Sequence, residues 1–261
     1  MPDLSSFSLA GKIVIQCGGT GLLGRALVHG LGAAGASLVI ASRNREALAT
    51  VAAAEQAAGH TVFVEETDIG SEASLRGLRD RVLAAHGRID GLVFNAVSRP
   101  MRRFDDELAA WEASMAVNAT GFFAAARVFG DAMAVRGSGS IVNIASMQGM
   151  IGPNFWLYEG TSMTAAPDYF FHKGGMINFT KYLAAHYGPH GVRANVVSPG
   201  GIYNPEKPQA PEFLERYGKM TLLGRMAQAR EISGAVVFLL SDASTYVTGA
   251  NLPVDGGYTA K

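Results

Sequence analysis

Short apolar runs alternate along the chain with longer stretches whose apolar residues recur at helical spacing. The runs at 12–16, 37–41, 61–65, 89–95, 140–145, 193–197 and 251–254 predict strands. The stretches at 22–34, 45–58, 71–86, 106–133, 167–187 and 229–240 predict helices. Several strand runs are apolar on both faces, as in a parallel sheet covered on two sides. The alternation predicts an α/β fold: a doubly wound parallel sheet of about seven strands with helices on both faces. No repeat, linker or shift in composition marks a second domain, so residues 1–261 are read as one. The segments 147–166 and 200–221 read as long loops after strand ends. Open α/β sheets bind ligands there, so these loops are expected to form the substrate pocket.

Composition narrows the function. The 261 residues carry 22 basic and 22 acidic groups, a formal charge of zero, with no basic patch. Nucleic acid is therefore not an expected partner. The one cysteine, Cys17, excludes an internal disulfide and reads as a small buried residue at a strand end. No Cys/His cluster has metal-ligand spacing, so no metal is expected. The start lacks the apolar core of a signal peptide. No apolar run approaches the ~18 residues of a membrane helix. The expectation is a soluble, cytoplasmic protein without a membrane partner.

The first strand runs into Cys17-Gly-Gly-Thr-Gly-Leu-Leu-Gly-Arg25 and then a helix. Gly18, Gly21 and Gly24 recur every three residues, with Thr20, Leu22 and Leu23 between them. Such glycines make a tight turn and let the backbone approach a pyrophosphate seated on the helix N-terminus. The second strand ends at Ser42 and Arg43, where an NAD-binding fold usually has an acidic residue on the ribose hydroxyls. A guanidinium beside a hydroxyl suits a 2′-phosphate, which favours NADP(H) over NAD(H). The alternative is that Arg43 caps the strand end or stacks on adenine.

Tyr169 and Lys173 stand four apart in a predicted helix that starts after Pro167. A cation beside a phenol favours the phenolate, from a reference pKa of about 10, which would suit proton transfer near neutral pH. A second match, Tyr203 to Lys207, contains Pro205, which breaks a helix. At 100° per residue His172 is not placed on the Tyr169 face and reads as packing or interface.

In this order of motifs the chain resembles the short-chain dehydrogenase/reductase family over nearly its whole length. After the glycine loop come Thr67-Asp68-Ile69, Phe94-Asn95-Ala96-Val97, Val117-Asn118-Ala119-Thr120-Gly121 and Ser140 to Ser146. Tyr169 to Lys173, Val192 to Gly200 and Thr248 to Gly257 follow. The resemblance implies a Rossmann-type NAD(P)(H)-dependent oxidoreductase that interconverts a ketone and a secondary alcohol. It implies Tyr169 as proton carrier, Ser146 on the same substrate oxygen and Lys173 on the nicotinamide ribose. Asn118 would anchor a water joining Lys173 to solvent. Asp68, Ile69, Asn95, Ala96, Pro199, Gly200 and Ile202 would line the cofactor. A homotetramer or dimer is also implied, with helices near Asn118 and Tyr169 packing across subunits.

The chain departs from the family pattern at Leu22, where similar members carry a glycine, at Val97 and at Asn204. The Ser146-to-Tyr169 segment is also longer than usual. This insertion resembles that of sugar and sugar-acid oxidoreductases, including gluconate-type dehydrogenases and enzymes of sialic-acid-like sugar pathways. Asn154, Trp156, Tyr158 and Glu159 from it, with Ser146 and Tyr203, are the expected substrate contacts; the alternative is that the insertion is a structural flap or a subunit contact. Polar groups beside an aromatic suit a sugar, sugar acid or polyol. A 3-oxoacyl thioester reductase and a non-catalytic dinucleotide-binding regulator are the alternatives.

Overall fold

The computed structural model describes residues 4–261; the first residues of the start considered above, 1–3, lie outside them. Seven parallel strands form one sheet in the order β3-β2-β1-β4-β5-β6-β7. They are β1 (Ile13–Cys17), β2 (Ser37–Ser42), β3 (Thr61–Glu66), β4 (Gly91–Phe94), β5 (Gly139–Ile144), β6 (Val192–Pro199) and β7 (Asn251–Val254). All seven predicted strands are present, shifted by no more than two residues at either end.

Neighbouring residues on a strand point to opposite faces, so each strand feeds two cores. Ile15 and Cys17 of β1 pack with α3 (Glu72–His86), α5 (Phe122–Arg136) and α6 (Pro167–Tyr187). Val14, between them in alternation, packs with α1 (Leu22–Ala33), α2 (Arg45–Ala57) and α8 (Ser233–Leu240). Fully buried Phe94 and Phe129 anchor the first core, at about 1.5–3 kcal/mol per large apolar side chain. Cys17 is buried there, and burial pushes its thiol up to about 12.

Three predicted segments differ. The helix expected over 106–133 is α4 (Leu108–Met115), a π-helical turn (Ala116–Gly121) and then α5. Apolar residues continue through the turn, so hydrophobic spacing does not reveal the break. The segment 200–221 is not all loop. It contains α7 (Pro211–Met220), which starts on a proline and buries Phe213 and Tyr217. The segment 147–166 carries two short 3-10 turns, Met147–Gly149 and Phe155–Tyr158. As expected from Pro205, residues 203–207 form no helix.

The strand order reverses between β1 and β4, which leaves a crevice beyond their carboxyl ends. The glycine loop, the β4–α4 connection and the segments after β5 and β6 all meet there.

Candidate active site

Pro167 occupies the first turn of α6, and Tyr169 and Lys173 follow on adjacent turns of one face. Lys173 is buried, and its Nζ donates a hydrogen bond to the Ile144 carbonyl at 2.6 Å. The same Nζ lies 5.6 Å from the centre of the Tyr169 ring. Burial, assisted by the charge of Arg99, lowers the Lys173 pKa to about 7. Just past the end of β5, Ser146 caps a 3-10 turn, its Oγ accepting from the Gln148 backbone N–H at 3.2 Å. Ser146, Tyr169 and Lys173 line one cavity of about 510 Å³.

His172 corrects the expectation from helix angle. Its ring meets the Tyr169 ring edge-on at 5.2 Å, because residues three apart on a helix are also neighbours. It is buried within this chain, and neither ring nitrogen has a partner among the described residues. Burial, then Lys173 and Arg99, push its pKa down to about 3, so it is neutral at ordinary pH.

The glycine loop fits a dinucleotide. Gly18 has φ +87°, and a Cβ there would stand 2.7 Å from the Ala96 nitrogen. A Cβ on Gly24 would strike the Gly18 oxygen. Asn95 Nδ2 donates to the Gly18 carbonyl at 2.8 Å and Gln16 Nε2 to the Gly24 carbonyl at 2.9 Å, which fixes the loop from behind. Gly21 faces open space and caps α1 without a side-chain hydrogen bond. The first N–H groups of α1, at Leu22, Leu23 and Gly24, therefore point toward a site that suits a pyrophosphate. Leu22, Leu23, Pro199, Gly200 and Ile202 line the cavity that holds Tyr169. Thr20, Ser42, Arg43, Asp68, Ile69 and Ala96 line a second one beside it.

Comparison with known proteins agrees with this geometry. The family model described as enoyl-(acyl carrier protein) reductase matches residues 21–259. The chain is 36% identical over 261 residues to 2,5-dichloro-2,5-cyclohexadiene-1,4-diol dehydrogenase of Sphingobium indicum, covering 97% of this chain and 98% of that one. It is 35% identical over 262 residues to the L-tagatose-forming galactitol 2-dehydrogenase of Cereibacter sphaeroides, covering 97% of each. A crystal structure of gluconate 5-dehydrogenase from Burkholderia cenocepacia, in complex with NADP and tartrate, matches with a TM-score of 0.90 at 32% identity, covering 99% of each chain. The chain belongs to the short-chain dehydrogenase/reductase family. It is an NAD(P)-dependent oxidoreductase acting on CH–OH groups.

The family's asparagine position, Asn118, falls in the π-helical turn and is buried. Its Nδ2 donates to the Ser98 carbonyl at 2.7 Å and to Ser114 Oγ at 2.9 Å, and its Oδ1 accepts from the Ser98 N–H at 2.9 Å. Ser114 in turn donates to buried Asp168 at 2.5 Å. Asn118 thus ties the β4–α4 connection to α6 and does not itself line the cavity.

The insertion divides the expected substrate contacts of this dehydrogenase. Asn154 and Tyr158 line the cavity, and Gln148 Nε2 donates to the Tyr158 hydroxyl at 3.0 Å. Burial raises the Tyr158 pKa, so it stays a neutral phenol. Trp156, Glu159 and Tyr203 do not line it. The 3-10 turn sends Leu157 inward and Trp156 outward, where Arg216 stacks on its ring at 5.4 Å. Arg216 also donates to the carbonyls of Trp156 and Glu159, at 3.0 and 2.5 Å, and this clamp keeps both residues on the outside. The wall is completed by residues that sequence patterns did not single out. Phe213 and Tyr217 come from α7, and Arg99 and Arg102 from the β4–α4 connection.

Elsewhere, His29 of α1, Glu55 of α2 and His60 of the connection before β3 bring metal-ligating atoms together. One Glu55 oxygen lies 3.1 Å from His29 Nδ1 and 2.7 Å from His60 Nδ1, and hydrogen bonding accounts for the grouping.

Proposed function

We propose that this protein interconverts a secondary alcohol and a ketone on a small hydroxylated substrate, a polyol, sugar or sugar acid, with NADP(H) preferred. The observation that carries the reading is the meeting of Ser146, Tyr169 and Lys173 in a cavity whose far wall offers Gln148, Asn154 and Tyr158. Polar groups on an otherwise apolar wall suit orientation of a polyhydroxylated molecule.

The nicotinamide, when bound, supplies or accepts the hydride. Tyr169 gives its phenolic proton to the carbonyl oxygen in reduction and takes the hydroxyl proton in oxidation. Ser146 Oγ donates a hydrogen bond to the same oxygen as negative charge gathers on it. Lys173 holds the ribose hydroxyls and keeps a positive charge near Tyr169. Asn118, its side chain held by Ser98 and Ser114, would anchor the water joining Lys173 to solvent.

The NADP(H) preference is supported by the second cavity. Ser42 Oγ is buried without a hydrogen-bond partner among the described residues. Arg43 and Arg45 line the same cavity, and neither side chain has an ion pair among the described residues. A 2′-phosphate would occupy both cations and the hydroxyl. The gluconate 5-dehydrogenase relative carries NADP.

Exposed Phe123, Phe171 and Tyr182, on α5 and α6, support association of copies through these helices into a dimer or tetramer. No helix among the described residues is long and apolar enough to cross a membrane, in keeping with a cytoplasmic enzyme.

A turnover screen tests the reading. Polyols, sugar acids and cyclic alcohols are offered with NADP+ and NAD+, and an acetoacetyl thioester with NADPH. Oxidation of a polyol or sugar acid is expected. Thioester reduction with no alcohol oxidised would overturn it.

A further inference from the structure

We infer that Arg99 binds a carboxylate of the substrate, and that the substrate is a hydroxy acid interconverted with its keto acid. The inference rests on the alcohol–ketone reading above and narrows its substrate class.

Arg99 sits on the β4–α4 connection, and its guanidinium carbon stands 4.6 Å from the centre of the Tyr169 ring. Stacking on an aromatic face is worth roughly 0.5–2 kcal/mol and leaves the N–H edge of a guanidinium available. That edge has no ion pair or hydrogen bond among the described residues. Other arginines of the protein are paired with carboxylates, among them Arg25 with Glu206, Arg103 with Asp105 and Arg225 with Glu231. Arg99 thus lines the cleft as a cation without a counterion among the described residues.

The charge balance of the cavity points the same way. Its charged lining residues are Arg99, Arg102, Lys173 and Asp168. Asp168, the one carboxylate among them, is buried, accepts from Ser114 through one oxygen and forms no ion pair with Arg99. Lys173 is a further cation of the lining, with one of its three N–H donors on the neutral Ile144 carbonyl. The Arg102 side chain is also unpaired among the described residues and lies on the same connection. An anionic ligand is what this lining lacks.

A carboxylate answers the geometry. The planar fork of a guanidinium pairs with it through two parallel N–H bonds. Because the fork rests on the Tyr169 ring, the bound carboxylate lies a short chain away from the carbon whose oxygen meets the phenol. Gln148 and Tyr158 of the same lining offer polar atoms to the hydroxyls of the molecule, beside Asn154, whose Oδ1 caps the 3-10 turn. The carboxylate would also screen Arg99 from Lys173, whose protonation Arg99 opposes.

Oxidation of D-gluconate and of its neutral counterpart D-sorbitol is compared in wild type, Arg99→Lys and Arg99→Gln. In Arg99→Gln the ratio of kcat/KM for acid over polyol is expected to fall about 30-fold, through the KM of the acid. Arg99→Lys recovers part of the ratio. Equal losses on both substrates overturn the inference, as does a matching loss of NADPH affinity, which would assign Arg99 to the cofactor. A sugar phosphate used in preference to the acid overturns it too. A wild type that oxidises sorbitol and binds no carboxylate keeps the alcohol–ketone reading and sinks this one. If no alcohol is oxidised, calorimetry of tartrate with the NADPH complex decides. Tartrate held by wild type and released by Arg99→Gln upholds the anion site, and equal binding removes it.

Discussion

Lys173 Nζ donates to the carbonyl of Ile144, the last residue of β5, and so ties the helix of Tyr169 to the strand that leads to Ser146. The bond satisfies one of the three N–H donors of a buried ammonium. It fixes Tyr169 and Ser146 relative to each other through two rigid elements rather than through a loop.

The burial of that ammonium has a measurable stability signature. In the folded protein the Lys173 pKa is held down to about 7 from the ordinary 10.5. Between those values the unfolded chain binds the extra proton, so the Lys173 contribution to stability improves as pH rises through the window. Below pH 7 both states are protonated and the burial cost is fully present. The advantage of Lys173→Met over wild type, without cofactor, is therefore largest below pH 7 and shrinks toward pH 10, by on the order of a few kcal/mol. Denaturant unfolding of both at pH 6 and pH 9 measures it. A difference independent of pH would remove the assigned charge state.

Tyr169→Phe deletes the proton carrier and keeps the ring on which Arg99 rests. Turnover is expected to fall by roughly 10³-fold, with cofactor affinity nearly unchanged. Steady-state rates and NADPH fluorescence titration report the two quantities. Preserved turnover would show that another group moves the proton.

For Arg43→Ala the expected result is loss of NADPH affinity by about 10-fold or more, with NADH affinity little changed. Titrations with both cofactors check it. Equal weakening of the two would place Arg43 on the adenine or at the strand end instead of on a 2′-phosphate.

A Cβ on Gly24 meets the Gly18 oxygen, whereas one on Gly21 meets nothing within 4 Å. Gly24→Ala should therefore lower stability by about 1–3 kcal/mol. Gly21→Ala should fold normally and weaken cofactor binding, because its methyl group enters the cradle. Thermal unfolding with and without NADPH distinguishes the two. Equal melting temperatures for both variants would contradict the packing described here.

The sheet was legible because buried parallel strands read as continuous apolar runs, and α6 was legible because Pro167 marks its start. The motif residues were legible because each lies at a strand end or in a helix turn with a fixed local pattern. Other features depend on tertiary placement. Arg99 is one charged residue in a polar stretch, and only the fold of the β4–α4 connection brings it over Tyr169. The outward turn of Trp156 depends on Arg216, 60 residues away in sequence. The helix α7 follows a run rich in proline and lies in a segment where no strand or helix was expected.

One packing feature sets how this enzyme can change. Met147, Leu157, Phe213, Tyr217, Met226 and Tyr258 form a small apolar cluster separate from the two cores that flank the sheet. The wall facing Tyr169 is thus a module with its own interior, joined to the scaffold at its edges. Substitutions inside it can reshape the chamber without unsettling the sheet, so new substrates can be acquired there while proton transfer is inherited intact.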